Sequence, residues 1–184
     1  TAISAKDPRA RMGAIGTAAP YLETRILPVP GIPAPAGELL LRGGTLCLGY
    51  LQPDGGYAGL DADGFFHTGD LMRIEPDGYL MHMGRIGRLV KVGGILANPA
   101  EVEEVLRSLP GVKDALCWAE PHDLLGNTLA AQVVSEPGTD LDVQTLRRAC
   151  RERLERHKVP HTLTLVEQLA VTPGGKRSLR PLQA

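Results

Sequence analysis

The sequence contains few cysteines and no excess of charge of either sign. Its 184 residues include 3 cysteines without a Cys-x-x-Cys pair, and their odd number and wide spacing indicate neither a disulfide framework nor a zinc site. The 20 basic and 21 acidic residues give a formal net charge of -1, whereas nucleic-acid-binding domains usually carry a basic excess. We therefore expect no nucleic-acid partner.

Long hydrophobic segments are also absent from the sequence. No apolar run approaches the length of about 20 residues that spans a bilayer, and the start, TAISAKDPRARMG, lacks the apolar stretch of a signal peptide. We therefore expect a cytoplasmic protein without a membrane span. The histidines are scattered, and no His-x-x-x-His pair lies on a predicted helix, which predicts no metal site. They are expected to be structural or surface residues: His67, His82, His122, His157 and His161.

The first half of the chain has the pattern of short β-strands. Apolar segments at 22–27, 38–42 and 79–81 are separated by clusters of Gly, Pro and Asp that are typical of turns. Several short strands at this spacing predict a sheet or a small barrel. Cys47 and Cys117 lie in apolar runs, so both are predicted to be buried small hydrophobic residues.

The second half alternates between helix and strand patterns. Asn98, Pro99 and Glu101 have the spacing of a capped helix start, and a second helix is predicted over 142–156. The change of pattern near 85–88 predicts a boundary between an all-β piece and a small α+β domain. Three further segments are predicted strands: 114–119, 129–135 and 163–166.

Five segments of the sequence are distinctive when they are taken together. They are GELLLRGGTLCLGY, DGFFHTGDL, DGYLMHMGRIGRLVKVGG running into NPAEVE, LPGVKDALCWAEPHDLLGN and VTPGGKRSLR. Each alone is a weak signal, because a motif such as TGD consists of three common residues. In this order and spacing they resemble the adenylate-forming superfamily of acyl-CoA synthetases, carrier-protein adenylation domains and firefly-type luciferases. The resemblance covers nearly the whole chain.

The resemblance implies an α+β fold in two parts. Residues 1–85 would be the β-rich end of the large N-terminal AMP-binding domain, and residues 86–184 would be a small, mobile α+β C-terminal lid domain. The rest of the large domain is then expected upstream of this sequence, with the ATP-phosphate loop, the Mg²⁺ ligand and most of the acid pocket. The chain is therefore expected to be a fragment that is inactive alone.

Asp70 and Arg85 are the nucleotide-binding residues that the resemblance implies. The carboxylate of Asp70 suits the two hydroxyl donors of a ribose, and Gly69 lets the backbone approach a ligand closely. The planar guanidinium of Arg85 suits ribose and phosphate oxygens. The structural alternatives are a turn-capping aspartate and a surface salt bridge of little energetic weight. The family match favours the nucleotide roles.

Three glycines occupy positions that the family uses for movement and for the acceptor thiol. The resemblance places Gly87 at the hinge, where many relatives carry Asp or Lys. Glycine absorbs a large backbone rotation but provides no side-chain latch, and the structural alternative is an ordinary turn glycine. Gly93 and Gly94 would line the thiol tunnel, and the structural alternative for them is a β-hairpin turn. Lys91 has an analogue that serves the second half-reaction of luciferases, and that chemistry is not transferred to this chain.

Lys176 is the predicted catalytic residue. It follows two glycines in the segment TPGGK, and the resemblance places its ammonium group between the carboxylate oxygen and the α-phosphate during attack on phosphorus. A charge fixed at that point stabilises the charge that develops in the transition state, and most strongly in a closed, dry site. The structural alternative is a solvated lysine near a chain end.

The resemblance implies an ATP-dependent acid–thiol ligase. Such an enzyme activates a carboxylic acid as an acyl-adenylate and transfers the acyl group to a thiol, so ATP, Mg²⁺ and either coenzyme A (CoA) or phosphopantetheine are the expected ligands. Gly93 and Asn98 favour CoA, because peptide-synthetase adenylation domains usually carry Arg and an acidic residue there. One alternative is a stand-alone adenylation enzyme that loads a carrier protein, and an alternative of another class is a non-catalytic docking module.

Overall fold

The structure is a computed structural model that describes residues 14–47 and 49–170. The chain divides into two compact units, of which the first ends at Gly87 and the second begins at Arg88. Strands dominate the described residues, and the α-helices lie in the second unit, so the predicted α+β fold is confirmed. Within the described ranges, no helix has the length and apolar character needed to cross a membrane.

The first unit consists of short strands: β1 (Ala14–Thr17), β2 (Glu23–Pro28), β3 (Ala36–Arg42), β4 (Tyr50–Leu51), β5 (Tyr57–Ala58), β6 (Phe66–Ile74) and β7 (Tyr79–Arg85). Five of them form a sheet in the order β1-β7-β6-β3-β2, in which every neighbouring pair is antiparallel. β4 and β5 form a separate hairpin. The predicted strands at 22–27, 38–42 and 79–81 correspond to β2, β3 and β7.

The sheet of the first unit has a small apolar core. Alternate residues of a strand face the same side of a sheet, and side chains from three neighbouring strands meet in this way. The core is formed by Leu39, Met72 and Leu80, with Ile26, Leu41 and Ile74 packed against them.

The second unit combines a hairpin, a three-stranded sheet and two helices. Its elements are β8 (Val90–Val92), β9 (Ile95–Ala97), α1 (Pro99–Arg107), β10 (Val112–His122), β11 (Gly126–Ser135), α2 (Val143–Arg153) and β12 (Thr162–Leu165). β10 pairs antiparallel with β11, and β11 pairs parallel with β12. Every one of these elements contributes buried side chains to one hydrophobic core, which makes this unit the larger apolar assembly of the two.

Side-chain caps begin both helices, as the sequence predicts for the first of them. The side chain of Asn98 accepts a hydrogen bond from the backbone N–H of Ala100, and Pro99 occupies the first turn of α1. Asp142 accepts a hydrogen bond from the backbone N–H of Thr145 at the start of α2. The hydroxyl and the N–H of Thr145 hold the pKa of the Asp142 carboxyl below its ordinary value.

The end of α2 differs from the prediction. The helical pattern extends to residue 156, but α2 ends at Arg153 because Leu154 has extended backbone angles (φ -117°, ψ 149°). Its side chain is buried in the core of the second unit, and its N–H donates to the carbonyl oxygen of Cys150. A short 3-10 helix follows at Arg156–Lys158. Burial of Leu154 therefore takes precedence over continuation of the helix.

A buried ion pair connects the first residue of the second unit to α1. Glu103 is 4% exposed, and its Oε1 accepts hydrogen bonds from Arg88 Nη2 (2.5 Å) and from the backbone N–H of Cys117 (2.9 Å). Arg88 Nη2 also donates to the carbonyl oxygen of Cys117 (2.9 Å). A buried carboxylate is costly unless it is paired and hydrogen-bonded, and this network provides both kinds of partner.

Only one of the two predicted burials of cysteine is confirmed. Cys117 is fully buried in β10, but Cys47 is exposed. The backbone N–H of Leu46 donates to the carbonyl oxygen of Gly43, and this turn takes the chain out of the sheet before Cys47. The apolar neighbours of Cys47 in the sequence therefore do not place it in a core.

The three cysteines should differ strongly in their reaction with iodoacetamide. Burial raises the pKa of the Cys117 and Cys150 thiols, so both remain neutral and inaccessible at mildly alkaline pH, where the thiolate is the reactive form. We expect one rapid modification in the native chain, located at Cys47 by peptide mass spectrometry, and three in guanidinium chloride. Native labelling of Cys117 at the rate of Cys47 would contradict the packing of β10.

Candidate functional site

Asp70 lies in a bulge of β6, where this strand leaves regular pairing with β3. Between two flanking paired positions, β3 contributes only Leu39, whereas β6 contributes Thr68, Gly69 and Asp70. Gly69 has a φ of +69°, a left-handed conformation that glycine adopts at little cost. Bulges bend a strand and redirect its side chains. The TGD motif is therefore a local departure from the sheet.

Arg85 lies beside Asp70 on the neighbouring strand β7. The two residues are paired across β6 and β7, and Arg85 Nε is 2.8 Å from Asp70 Oδ1. Arg85 Nη1 also donates to the carbonyl oxygen of Thr68 (3.0 Å). The side chains are partly accessible, at 24% for Asp70 and 60% for Arg85. The structure thus brings together the two predicted nucleotide-binding residues, as an acceptor and a planar donor at one surface position.

A histidine that is expected from the sequence to be a structural or surface residue also approaches this pair. His82 Nε2 on β7 is 3.6 Å from Asp70 Oδ1. His82 pairs with Met72, and an extra residue of β7 follows at this point of the ladder. The approach depends on strand register and on this irregularity, and no short motif in the sequence encodes it.

Gly87 lies in a short 3-10 helix, Ile86–Arg88, at the end of the first compact unit. Its φ is outside the left-handed region, and a Cβ atom added to it would meet nothing within 4 Å. Neither backbone conformation nor packing within the described residues therefore requires glycine at this position. The hinge role of Gly87 stays a prediction.

Gly93 and Gly94 form the two-residue turn between β8 and β9. Their φ values are +57° and +85°, and two successive positive values are typical of the type I′ turns that close β-hairpins. The N–H of Gly93 donates to the carbonyl oxygen of Leu125 (3.1 Å), and a Cβ atom on Gly93 would lie 3.3 Å from Leu125 Cδ2. The hairpin turn describes the local structure, and the thiol-tunnel role stays a prediction.

A cavity of about 980 Å³ opens beside this turn in the second unit. Part of its wall is apolar and part is formed by basic residues of α2 and of the segment between α2 and β12. The lining residues are Val92, Gly93, Ile95, Leu125, Thr128, Arg147, Arg151, Leu154, Arg156, His157, Val159, Pro160 and His161. Within the described ranges, no carboxylate is among them. Sequence reasoning missed this cavity because its walls come from segments far apart in the chain.

Within the described part of the chain, Arg147 is a basic residue of the cavity wall with a buried, unpaired side-chain nitrogen. It lies on α2 one helical turn before Arg151, so both guanidinium groups are on one face of the helix. Arg147 Nε is buried and has no hydrogen-bond partner among the residues that the structure describes. Buried polar groups normally have a partner, so this unpaired donor marks Arg147 as a candidate for binding an acceptor group.

Two lysines are considered from the sequence, Lys176 as the catalytic residue and Lys91 without a transferred role. Lys176 lies outside the described residues, and its catalytic role stays a prediction. Lys91 is exposed on β8, and its carbonyl oxygen accepts a long hydrogen bond from Asn127 Nδ2 (3.4 Å).

The described residues do not fit a Mg²⁺ site. No group of three or more His, Cys, Asp or Glu side chains lies together in 14–47 and 49–170 in a way that would hold a metal ion. The paired carboxylate of Asp70 already contacts a guanidinium. We therefore assign no step of any reaction to a metal held by these residues.

Comparison with known proteins gives a consistent set of relatives. A family model described as the AMP-binding enzyme C-terminal domain matches residues 101–176. A CoA ligase from Rhodococcus jostii is 36% identical over 162 residues, which cover 88% of this chain and 30% of that ligase. A 2-methylpropanoate–CoA ligase from Humulus lupulus is 37% identical over 143 residues, covering 76% of this chain and 26% of that protein.

Solved structures agree with these relatives. ATP-bound MatB from Rhodopseudomonas palustris is similar with a TM-score of 0.79 and 28% sequence identity, and the match covers 90% of this chain and 34% of MatB. The chain thus spans about a third or less of the length of the proteins it matches.

Proposed function

The chain belongs to the adenylate-forming superfamily and matches its C-terminal portion, and from this premise we propose that it is part of an ATP-dependent acid–CoA ligase. The first unit is the end of the large AMP-binding domain, and the second unit is the lid domain. The large upstream domain of the same enzyme provides the ATP-phosphate loop, the Mg²⁺ ligand and most of the acid pocket.

The first half-reaction forms the acyl-adenylate. A carboxylate oxygen of the acid attacks the α-phosphorus of ATP, and pyrophosphate leaves. Asp70 accepts hydrogen bonds from the ribose hydroxyls, while Arg85 donates to ribose and phosphate oxygens; the 2.8 Å contact between their side chains supports a joint role. Lys176 places its ammonium group beside the reacting oxygens, where a fixed positive charge stabilises the developing negative charge.

The second half-reaction transfers the acyl group to the thiol of CoA. The lid domain rotates about Gly87, so that the Gly93–Gly94 turn replaces Lys176 at the reaction centre. The thiol sulfur attacks the acyl carbonyl carbon, and AMP leaves as the acyl–sulfur bond forms. Movement of a small domain in this way serves each half-reaction with its own set of groups.

The basic cavity beside Gly93 is the observation that carries the assignment of CoA. CoA has a diphosphate and a ribose phosphate, whereas the arm of a carrier protein has one phosphodiester. The exposed side chains of Ile95 and Leu125 offer apolar contact to an adenine ring. The arginines suit phosphate oxygens, because a guanidinium donates to phosphate in a bidentate geometry. A cavity of this volume and charge fits the larger and more anionic acceptor.

Replacing Arg147 should raise the KM for CoA in the full-length enzyme. We expect Arg147→Ala to increase KM by about tenfold, the effect of losing one charge-assisted hydrogen bond. Adenylate formation, measured as ATP–pyrophosphate exchange without CoA, should not change. With pantetheine, which has no phosphate, the variant and the parent enzyme should have similar KM values.

Arg148 provides a matched control for this experiment. It is the next residue of α2, is exposed, and is not among the cavity-lining residues. Arg148→Ala should therefore leave the KM for CoA unchanged. An Arg147→Ala variant with an unaltered KM for CoA would remove the support for CoA as the acceptor. If Arg147→Ala raises the KM for pantetheine as much as the KM for CoA, the loss is not one of phosphate recognition.

A further inference from the structure

Along the bulge that carries Asp70, side-chain oxygens replace the backbone carbonyl groups of β3 as hydrogen-bond acceptors. The backbone N–H of Gly69 donates to Glu38 Oε1 (3.1 Å), and the N–H of Asp70 donates to Thr68 Oγ1 (3.0 Å). The Thr68 hydroxyl in turn donates to the carbonyl oxygen of Leu39 (2.8 Å). The bulge is therefore connected to β3 at two successive residues, Glu38 and Leu39.

Glu38 holds the bulge on both sides of Thr68. Its Oε2 is 3.1 Å from His67 Nδ1, and its Oε1 accepts from Gly69. The carboxyl side chain is 15% exposed, so both oxygens have defined partners in a mostly buried position. The other ring nitrogen of His67 is 3.9 Å from Asp61 Oδ2. Glu38 thus fixes the residues before and after Thr68, directly next to the nucleotide-binding aspartate.

We propose that Glu38 is a positioning residue for ribose recognition, which sets the direction of the Asp70 carboxylate by holding the peptide of Gly69. The inference rests on the proposed nucleotide role of Asp70. Glu38 does not touch the ribose and acts through the bulge. Without its carboxylate, the left-handed Gly69 has no acceptor for its N–H, and the bulge gains freedom to leave the geometry that Asp70 requires. Catalytic geometry depends on supporting hydrogen bonds of this kind.

The test compares ATP with 2′-deoxy-ATP in pyrophosphate exchange by the full-length enzyme. Glu38→Ala should lower the preference for ATP over 2′-deoxy-ATP, as the ratio of kcat/KM values, on the order of tenfold. The KM for the carboxylic acid should not change. In Glu38→Gln the amide oxygen still accepts from Gly69, so the preference should stay within about twofold of the parent enzyme.

Asp70→Asn provides the reference, because it alters the carboxylate itself. If Glu38 acts through Asp70, adding Glu38→Ala to Asp70→Asn should not lower the ATP preference further. The double variant and Asp70→Asn should then have the same preference, since effects acting through one contact are not additive. Glu23→Ala is the control: Glu23 is an exposed carboxylate of the same sheet, paired with Arg42, and should leave the preference unchanged. If Glu38→Ala does not fold, Glu38→Asp replaces it, because the shorter side chain cannot reach both partners.

The outcomes separate this inference from the function on which it rests. An unchanged preference in Asp70→Asn means that Asp70 does not contact the ribose, and the proposed nucleotide site is then wrong. A reduced preference in Asp70→Asn with an unchanged preference in Glu38→Ala overturns the positioning role alone. An equal loss of activity with both nucleotides in Glu38→Ala also overturns it, because a purely structural defect would lower both rates together.

Discussion

Replacing Glu103 with alanine should destabilise the second unit by about 3–5 kcal/mol, the usual cost of removing one partner from a buried ion pair. The loss is large because Glu103 Oε1 accepts hydrogen bonds from both Arg88 and the backbone of Cys117. In the alanine variant, the guanidinium of Arg88, which is 20% exposed, loses its carboxylate partner. The buried N–H of Cys117 loses its acceptor as well. The free energy of unfolding of a typical domain is about 5–15 kcal/mol. A loss of this size should therefore make the second unit unfold at a clearly lower urea concentration than in the parent chain.

The chain contains a reporter for this measurement. Trp118 is the one tryptophan of the sequence, and it follows Cys117 in β10, so tryptophan fluorescence follows the second unit during urea unfolding. The midpoint should fall without a change in the slope of the transition, since the surface exposed on unfolding is nearly the same.

Two further variants test the origin of the loss. Glu104→Ala removes the neighbouring carboxylate of α1, which is exposed, and should change stability by less than about 0.5 kcal/mol. Replacing both charges, as Arg88→Met with Glu103→Leu, should recover part of the stability. The unpaired buried guanidinium is then gone, but the N–H of Cys117 still lacks its acceptor. Equal destabilisation by Glu103→Ala and Glu104→Ala would show that the buried pair has no special role.

The part of the structure that the sequence predicts well depends on local patterns. The start of α1 follows from the cap and the proline at Asn98 and Pro99. Alternation of apolar residues between turn residues locates β2, β3 and β7, and motif order identifies the family. These features are encoded within a few neighbouring residues, where propensity and periodicity act directly.

The remainder depends on contacts between distant segments. The bond from Gly69 to Glu38 joins residues 31 positions apart, and the cavity beside Gly93 combines β8, the start of β11 and α2. Such contacts require strand register and packing that no local pattern determines. The same limit explains the exposure of Cys47, whose apolar neighbours indicate burial although a turn removes it from the sheet.

Replacing Lys176 with alanine should lower the rate of adenylate formation on the order of 10²–10³-fold in the full-length enzyme, the range found when one preorganised charge or donor is removed from a transition state. Thioester formation from supplied acyl-adenylate and CoA should be largely spared. The reason is the proposed rotation of the lid domain, after which the glycine turn and not the lysine would face the reacting atoms when the thiol attacks the carbonyl carbon.

Two assays on one set of variants decide between this division of labour and a general defect. Pyrophosphate exchange measures the first half-reaction, and release of AMP from supplied adenylate measures the second. Lys113→Ala is the matched control, since Lys113 is an exposed lysine of β10 and should leave both rates unchanged. If Lys176→Ala slows both half-reactions equally, then the lysine acts on folding or on domain movement, and its assignment to attack on phosphorus is wrong. Selective loss of the first half-reaction would support a lysine that acts at the α-phosphate and is away from the reacting atoms when the thiol attacks.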